Sequence, residues 1–165
     1  MKADKLYLVG FMGAGKTTVA RALGRRLGWR VEDIDSCIEA RERRDVATIF
    51  AQDGEAYFRR VERACLVDLL TVRHAIVATG GGTFVDPENR AVMLSDGAVA
   101  WLDVTLTQVV ERIPPDGRRP LAADRPQMEQ LYAARQLAYS QAHVRVDAGR
   151  PVDEVVERLL DWIGY

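Results

Sequence analysis

The chain has 165 residues, a formal net charge of -1, 48% hydrophobic residues and 28% charged residues, the proportions of one ordinary globular domain. Near-balanced charge argues against a broad basic face for nucleic acid and against an acidic disordered chain. No apolar run reaches the roughly 18–20 residues that span a bilayer, and the few residues ahead of the first glycine loop do not read as a signal peptide.

Lysine occurs only at Lys2, Lys5 and Lys16, the rest of the positive charge being arginine. Cys37 and Cys65 are far apart in sequence and not grouped with histidine. They are expected to be two unlinked thiols in a reducing cytoplasm rather than a disulfide or zinc framework. His74 and His143 flank expected strands and read as structural.

Short apolar runs alternate with amphipathic ones. Leu6–Gly10 reads as a buried strand, followed by a loop at Gly13–Gly15 and a helix over Lys16–Leu27 with Val19, Leu23 and Leu27 in step. Trp29–Asp33 is a second strand. Short helices are predicted over Cys37–Arg44 and Val46–Asp53, and a longer one over Glu55–Thr71. Ala75–Thr79 is a third strand that exits through Gly80-Gly81-Gly82. A helix near Pro87–Leu94 leads to a fourth strand, Ala98–Val104, and helical spacing resumes over Thr105–Ile113.

Pro114–Pro126 holds chain breakers and arginines and reads as a loop. Gln127–Ala142 is helical, Val144–Asp147 a fifth strand, and Pro151–Ile163 a last helix with proline in its first turn. Alternating strands and helices without a linker or repeat imply a single α/β domain with a mainly parallel sheet covered on both faces.

Gly10-Phe11-Met12-Gly13-Ala14-Gly15-Lys16-Thr17 satisfies G-x-x-x-x-G-K-S/T and sits between a strand and a helix. That context is what the chemistry requires. Glycines let backbone N–H groups converge on phosphate oxygens at a helix N-terminus, the lysine reaches the terminal phosphates, and the threonine hydroxyl can ligate Mg²⁺. The guanine-reading N-K-x-D signature of switch GTPases is absent, and Val99–Asp103 is a poor Walker B strand. Small size and the arginine-rich loop favour a small-molecule kinase.

Asp33 and Asp35 close the second strand, where alternation would place both on one side at the carboxyl edge of the sheet. One could hold the metal's water shell and the other could accept or orient the proton of an attacking hydroxyl. Helix capping by Asp35 accounts for the same pattern without chemistry. Arg59 and Glu62 are three apart on a helix and can be a plain ion pair; Arg135 and Tyr139 carry the same ambiguity. Three glycines at a strand exit exceed what a turn needs and would open backbone N–H groups to a ligand.

In order along nearly the whole chain, these residues resemble the shikimate kinase family of P-loop proteins. The resemblance is carried by Gly10–Thr17, Asp33-x-Asp35, Ile49-Phe50, Gly54-Glu55, Phe58-Arg59-x-x-Glu62, Ala78–Gly82, Arg119-Pro120-Leu121 and Arg135 with Tyr139. It implies a three-layer fold, a five-stranded parallel sheet ordered 2-3-1-4-5, substrate helices over about residues 33–62, and a mobile lid over about 112–125. It also implies transfer of the ATP γ-phosphate to the 3-hydroxyl of shikimate, in a monomeric cytoplasmic enzyme with one Mg²⁺ per subunit and no nucleic-acid or membrane partner.

Carried over residue by residue, Lys16, Asp35 and Arg119 are catalytic. Asp35, Arg59, Glu62, Arg135, Phe50, Phe58, Gly80, Gly81 and Gly82 form the substrate side. Gly13, Ala14, Gly15, Lys16, Thr17, Thr18, Arg112, Arg119 and Arg150 hold the nucleotide, with Thr17 and Asp33 at the metal. The chain departs from the family's common pattern at Thr17, at Asp45 and in Arg135-Gln-Leu-Ala-Tyr139, which lacks a frequent proline. Two alternatives stand beside this reading: a P-loop kinase for another polyol acid such as gluconate, and a non-catalytic nucleotide-binding regulator. The first would need neither the triple glycine nor both arginines, and the second should have lost Lys16, Asp35 or an arginine of the set.

Overall fold

A computed structural model describes residues 2–112 and 125–165 of the chain. Five parallel strands, β1 (Lys5–Val9), β2 (Arg30–Asp33), β3 (Ala75–Ala78), β4 (Ala98–Asp103) and β5 (Val144–Asp147), form one sheet ordered β2-β3-β1-β4-β5. The expected order is thus the observed one. Central β1 is buried along its whole length, as a strand covered on both faces must be, and its apolar run follows from that position. In register, Tyr7 lies opposite Val77 on one side and Val99 on the other.

Seven helices are seen among the described residues: α1 (Lys16–Leu27), α2 (Ile34–Glu42), α3 (Val46–Asp68), α4 (Pro87–Asp96), α5 (Leu106–Arg112), α6 (Arg125–Tyr139) and α7 (Val152–Ile163). Helix α1 buries Val19, Ala20 and Leu23 at helical spacing and stops at Gly28, whose φ of 67° suits a left-handed cap. The two helices expected on either side of Gly54 form one run, α3, broken by that residue at φ 81° and ψ 175°. A 3₁₀ turn, Leu69–Thr71, finishes the segment. Helix α4 starts with Pro87 in its first turn, and the Asp86 carboxylate accepts from the backbone N–H of Glu88 and Asn89.

Most boundaries shift from the sequence reading by a residue or two, and the larger shifts have physical reasons. Helix α2 begins at Ile34 rather than Cys37, because Asp33 stays extended and caps it by accepting from the Ser36 N–H. Helix α6 begins at Arg125, ahead of the expected loop end, since Pro126 fits a first helical turn, and it ends at Tyr139 instead of Ala142. The greater part of the expected lid lies outside the described residues.

The two edges of the sheet are built differently. At the strands' amino ends, fully buried Lys5 pairs with Asp96 at 2.8 Å and also donates to the Leu69 carbonyl. The Tyr7 hydroxyl donates to Asp96 at 2.5 Å, and Arg73 reaches the same carboxylate at 2.8 Å. This closed knot ties β1 to the end of α4 and to the 3₁₀ turn. At the carboxyl ends, loops leave the sheet and open a cleft, as expected for an α/β sheet of this type.

Candidate active site

The loop from Gly10 to Gly15 joins β1 to α1, and Lys16 begins the helix with only 9% of its surface exposed. Its ammonium donates to the carbonyls of Gly10 at 2.6 Å and Phe11 at 2.9 Å, folding the side chain back over the loop. The Thr17 hydroxyl donates to Asp33 Oδ2 at 2.8 Å. A cleft of about 300 Å³ is lined here by Gly13, Gly15, Lys16, Thr17 and Thr18 together with Asp33, Asp35, Gly80, Gly81 and Arg112. Ala14 is buried and braces the loop, its N–H donating to the Phe11 carbonyl at 3.2 Å. A helix N-terminus with converging amides and a lysine favours phosphate oxygens.

The two aspartates share the cleft, but not for the reason strand alternation suggests. Asp33 ends β2, whereas Asp35 lies in the first turn of α2, so helical rotation and not the strand's two-residue period sets its direction. The capping role weighed for Asp35 belongs to Asp33.

The triple glycine also does something other than open its amides. The Gly80 N–H is taken by the Thr83 hydroxyl at 3.1 Å. What the glycines supply is room. A Cβ on Gly82 would lie 2.6 Å from Arg59 Nη1 and 2.7 Å from its Cζ, and one on Gly81 would lie 2.7 Å from Arg135 Nη1. Both guanidiniums therefore rest directly on glycine backbone, closer than any side chain would allow. A Cβ on Gly80 would in turn sit 3.1 Å from Asp35 Oδ1 and 3.4 Å from Glu62 Oε2. The strand exit thus gathers two arginines and two carboxylates around three residues.

Arg59 Nη1 donates to both oxygens of Glu62, at 3.0 and 3.1 Å, and the Glu62 side chain is fully buried. Burial works against the Arg59 charge, yet the Glu62 carboxylate, together with Glu55 at 3.3 Å from Nη2, more than offsets it and holds the guanidinium above its ordinary pKa. Arg135 is only 6% exposed, and its pKa moves the other way. Burial is the main cause, the neighbouring Arg59 charge adds to it, and a hydrogen bond with Tyr139 opposes both. A buried and a half-buried guanidinium side by side offer planar donor edges that suit a carboxylate.

Aromatic side chains back this hollow. Phe58 is buried and Phe50 half-buried, their ring centroids 4.8 Å apart, and the Arg59 guanidinium lies 5.2 Å above the Phe58 ring. Arg135 lies 5.8 Å from the Phe11 ring, a contact the sequence reading did not single out. The Tyr139 hydroxyl donates to the Gly81 carbonyl and fixes the glycine turn from behind.

The nucleotide-side arginines separate. Arg112 lines the cleft and spans the Gly13 and Ala148 carbonyls at 3.2 and 3.1 Å. Arg150 borders a different groove between β5 and α7, facing Asp147 at 3.6 Å and Glu154 at 3.9 Å. Arg119 lies outside the described residues. Sequence reasoning missed Thr83, whose hydroxyl joins Gly80 to Glu62; its place just after the glycines was the available signal. Among the described residues no cluster of three His, Cys, Asp or Glu side chains could cage a metal, so any cation here must take most of its ligands from elsewhere.

This geometry coincides with extended similarity to known proteins. A family model described as shikimate kinase matches residues 12–164. A shikimate kinase of Persephonella marina is 40% identical over 94% of this chain and 96% of its own length. One from Thermosynechococcus vestitus is 41% identical over 94% and 87% respectively. Among solved structures, shikimate kinase from Aquifex aeolicus superposes with a TM-score of 0.86 at 34% identity, covering 94% of each chain. The Acinetobacter baumannii shikimate kinase in complex with shikimate gives 0.91 at 31% identity, over 97% of this chain and 92% of that one. A deoxyadenosine kinase from M. mycoides, at 18% identity and a TM-score of 0.68, shares the fold. With nearly all of its length matched and its glycines, carboxylates and arginines gathered at one sheet edge, the chain belongs to the shikimate kinase family.

Proposed function

We propose that this protein transfers the γ-phosphate of ATP to the 3-hydroxyl of shikimate, releasing ADP and shikimate 3-phosphate on the way to chorismate and the aromatic amino acids. The observation that carries the reading is the pair of guanidiniums seated on Gly81 and Gly82, Arg135 buried and Arg59 half-buried, beside Asp35 and the phosphate loop. A gluconate kinase has no need of that arrangement, and a silent regulator has no need to keep Lys16 and Asp35 in the same cleft.

In this reading Arg59 and Arg135 grip the substrate carboxylate, with Glu62 holding Arg59 and with Phe50 and Phe58 walling the pocket. Gly80, Gly81 and Gly82 form its floor. Asp35 orients the attacking hydroxyl and accepts its proton as the bond to phosphorus forms. Gly13, Ala14, Gly15 and Thr18 cradle the phosphates, Ala14 by bracing the loop through its bond to the Phe11 carbonyl. Lys16 leaves its loop carbonyls to meet the phosphate charge, which grows on the transferring group and the leaving ADP. Arg112 and Arg150 are assigned to the adenine side. Arg119 is assigned to the phosphates on the strength of the family resemblance.

The donor set at Thr17 and Asp33 fits Mg²⁺, one per subunit. A hydroxyl and a carboxylate are hard oxygen donors, and this cation keeps several waters and takes the rest of its ligands from phosphate. When bound there it would neutralise phosphate charge. The reading is of a monomeric cytoplasmic enzyme without nucleic-acid or membrane partners. The near-balanced charge supports the absence of a nucleic-acid face, and among the described residues no helix is long and apolar enough to cross a membrane.

The test is coupled detection of ADP release against shikimate, gluconate and nucleoside monophosphates. Turnover with shikimate at least about a hundredfold above the others, on the scale a matched polar site can discriminate, is expected. Preference for gluconate or a nucleotide would refute the reading.

A further inference from the structure

Thr83 opens the 3₁₀ turn that follows the triple glycine and is fully buried. Its hydroxyl has two partners whose roles are chemically fixed. The Gly80 amide, 3.1 Å away, can only donate, so the hydroxyl oxygen accepts from it. The hydroxyl proton then goes to Glu62 Oε2 at 2.9 Å. The Glu62 carboxylate, itself fully buried, receives Arg59 Nη1 on both oxygens. A continuous chain thus runs from the backbone of Gly80, through Thr83 and Glu62, to the guanidinium that lies on Gly82.

The base of this chain is anchored. The side-chain amide of Asn89, also buried, donates to the Thr83 carbonyl at 3.2 Å, and Asn89 stands in the capped first turn of α4. Thr83 therefore cannot drift to follow Glu62. A carboxylate held by one arginine nitrogen, even one shared by both oxygens, could pivot about that nitrogen; a second donor group on Oε2 removes that freedom and fixes the plane of the carboxylate. Arg59 Nη1 bridges both oxygens of this fixed carboxylate, while Nη2 meets only the exposed Glu55 at 3.3 Å, so the buried Glu62 plane is the firmer of the two holds on the guanidinium edge. Valine has nearly the shape of threonine and would fill the same space, so packing alone does not require the hydroxyl.

We propose that Thr83 is a positioning residue for substrate, setting through Glu62 the angle at which Arg59 meets the shikimate carboxylate. The proposal rests on the reading of Arg59 as a ligand for that carboxylate. ATP binds at the other side of the cleft and should not sense the relay.

The test compares Thr83→Val and Thr83→Ser with the unaltered enzyme and with Arg59→Lys, measuring KM for shikimate and for ATP separately. Thr83→Val should raise the shikimate KM roughly tenfold or more, the scale of one lost hydrogen bond to a charged group, and leave the ATP KM within about twofold. Thr83→Ser, which keeps the hydroxyl, should restore the shikimate KM. If Thr83→Val does not fold, Thr83→Ala is measured in its place. An unchanged shikimate KM beside a raised one in Arg59→Lys would overturn the relay and leave the site intact. Equal rises in both KM values without recovery in the serine variant would reduce Thr83 to a structural residue. No effect in Arg59→Lys would remove the reading of the arginine, and the relay with it.

Discussion

Two of the chain's three lysines are buried at opposite ends of one strand–loop–helix unit, and they behave as opposites. Lys5, at the amino end of β1, is enclosed by the Asp96 carboxylate and the Leu69 carbonyl. Lys16, past the carboxyl end of the same strand, lies over loop carbonyls at the wall of a cleft. The same ammonium is a structural pin in one place and, in the proposed reading, a charge that meets the phosphates in the other. What decides is whether its surroundings close around an ion pair or open onto space where a phosphate can arrive. A charge enclosed by an ion pair holds the fold; one at the wall of a cleft lies within reach of a ligand.

Exchanging each lysine for a neutral residue should separate the two roles. Lys16→Met is expected to lower kcat by at least about a thousandfold, the order attached to a dedicated charge on the transferring phosphate, while the melting temperature stays near that of the parent. Turnover within a few-fold of normal in a folded Lys16→Met protein would end the assignment. Lys5→Met should do the reverse. Removing one partner of a buried pair costs about 3 kcal/mol, so thermal unfolding should come several degrees lower, with kcat per folded molecule unchanged.

Arg59→Lys and Arg135→Lys sharpen the contrast at the substrate side. Lysine keeps the charge and loses the fork, and the shikimate KM should rise about 10- to 100-fold, the range for a lost charge-assisted hydrogen bond, with the ATP KM little altered. If titration showed ATP affinity falling and shikimate affinity intact, both arginines would belong to the nucleotide or to structure.

The smallest expected effect concerns pH at the closed end. Burial by itself would raise the Asp96 carboxyl, but hydrogen bonds from Lys5, Tyr7 and Arg73 outweigh it and hold the group below its ordinary value. A carboxyl depressed in the folded state stabilises the protein above its unfolded pKa, about 3.9, and loses that contribution as pH falls through the folded value. The difference in melting temperature between the parent and Asp96→Asn should therefore be constant from neutrality down to about pH 4 and shrink below it. A difference that grew on acidification would have the wrong sign for this account.

Much of the open end was legible in the sequence, and the closed end hardly at all. The phosphate loop is local: glycines, Lys16 and Thr17 sit within one segment, and strand–loop–helix patterning places them. Arg59 and Glu62 are three apart on one helix, so their pairing could be read from spacing. Lys5 and Asp96 are joined only by the fold, and a lysine opening an apolar strand gives no sign of its partner. Asp35 was placed correctly in the cleft for the wrong geometric reason, because one extended residue, Asp33, ends β2 and starts the helix earlier. The purpose of Gly81 and Gly82 depends on guanidiniums arriving from α3 and α6, which no local pattern encodes. Thr83 was missed for a related reason: its place just after the glycines is a faint signal, and its role shows only when Glu62 is seen against it.

The central claim is that the two guanidiniums resting on glycine recognise a carboxylate. It is tested most directly by comparing kcat/KM for shikimate and for its methyl ester, in the parent enzyme and in Arg59→Lys. The ester retains the ring hydroxyls and loses the charge. The account predicts that the parent prefers the acid by roughly a hundredfold or more, on the scale of lost charge-assisted bonds, and that Arg59→Lys lowers activity on the acid while leaving the ester nearly unaffected. Equal activity on acid and ester in the parent enzyme would contradict it.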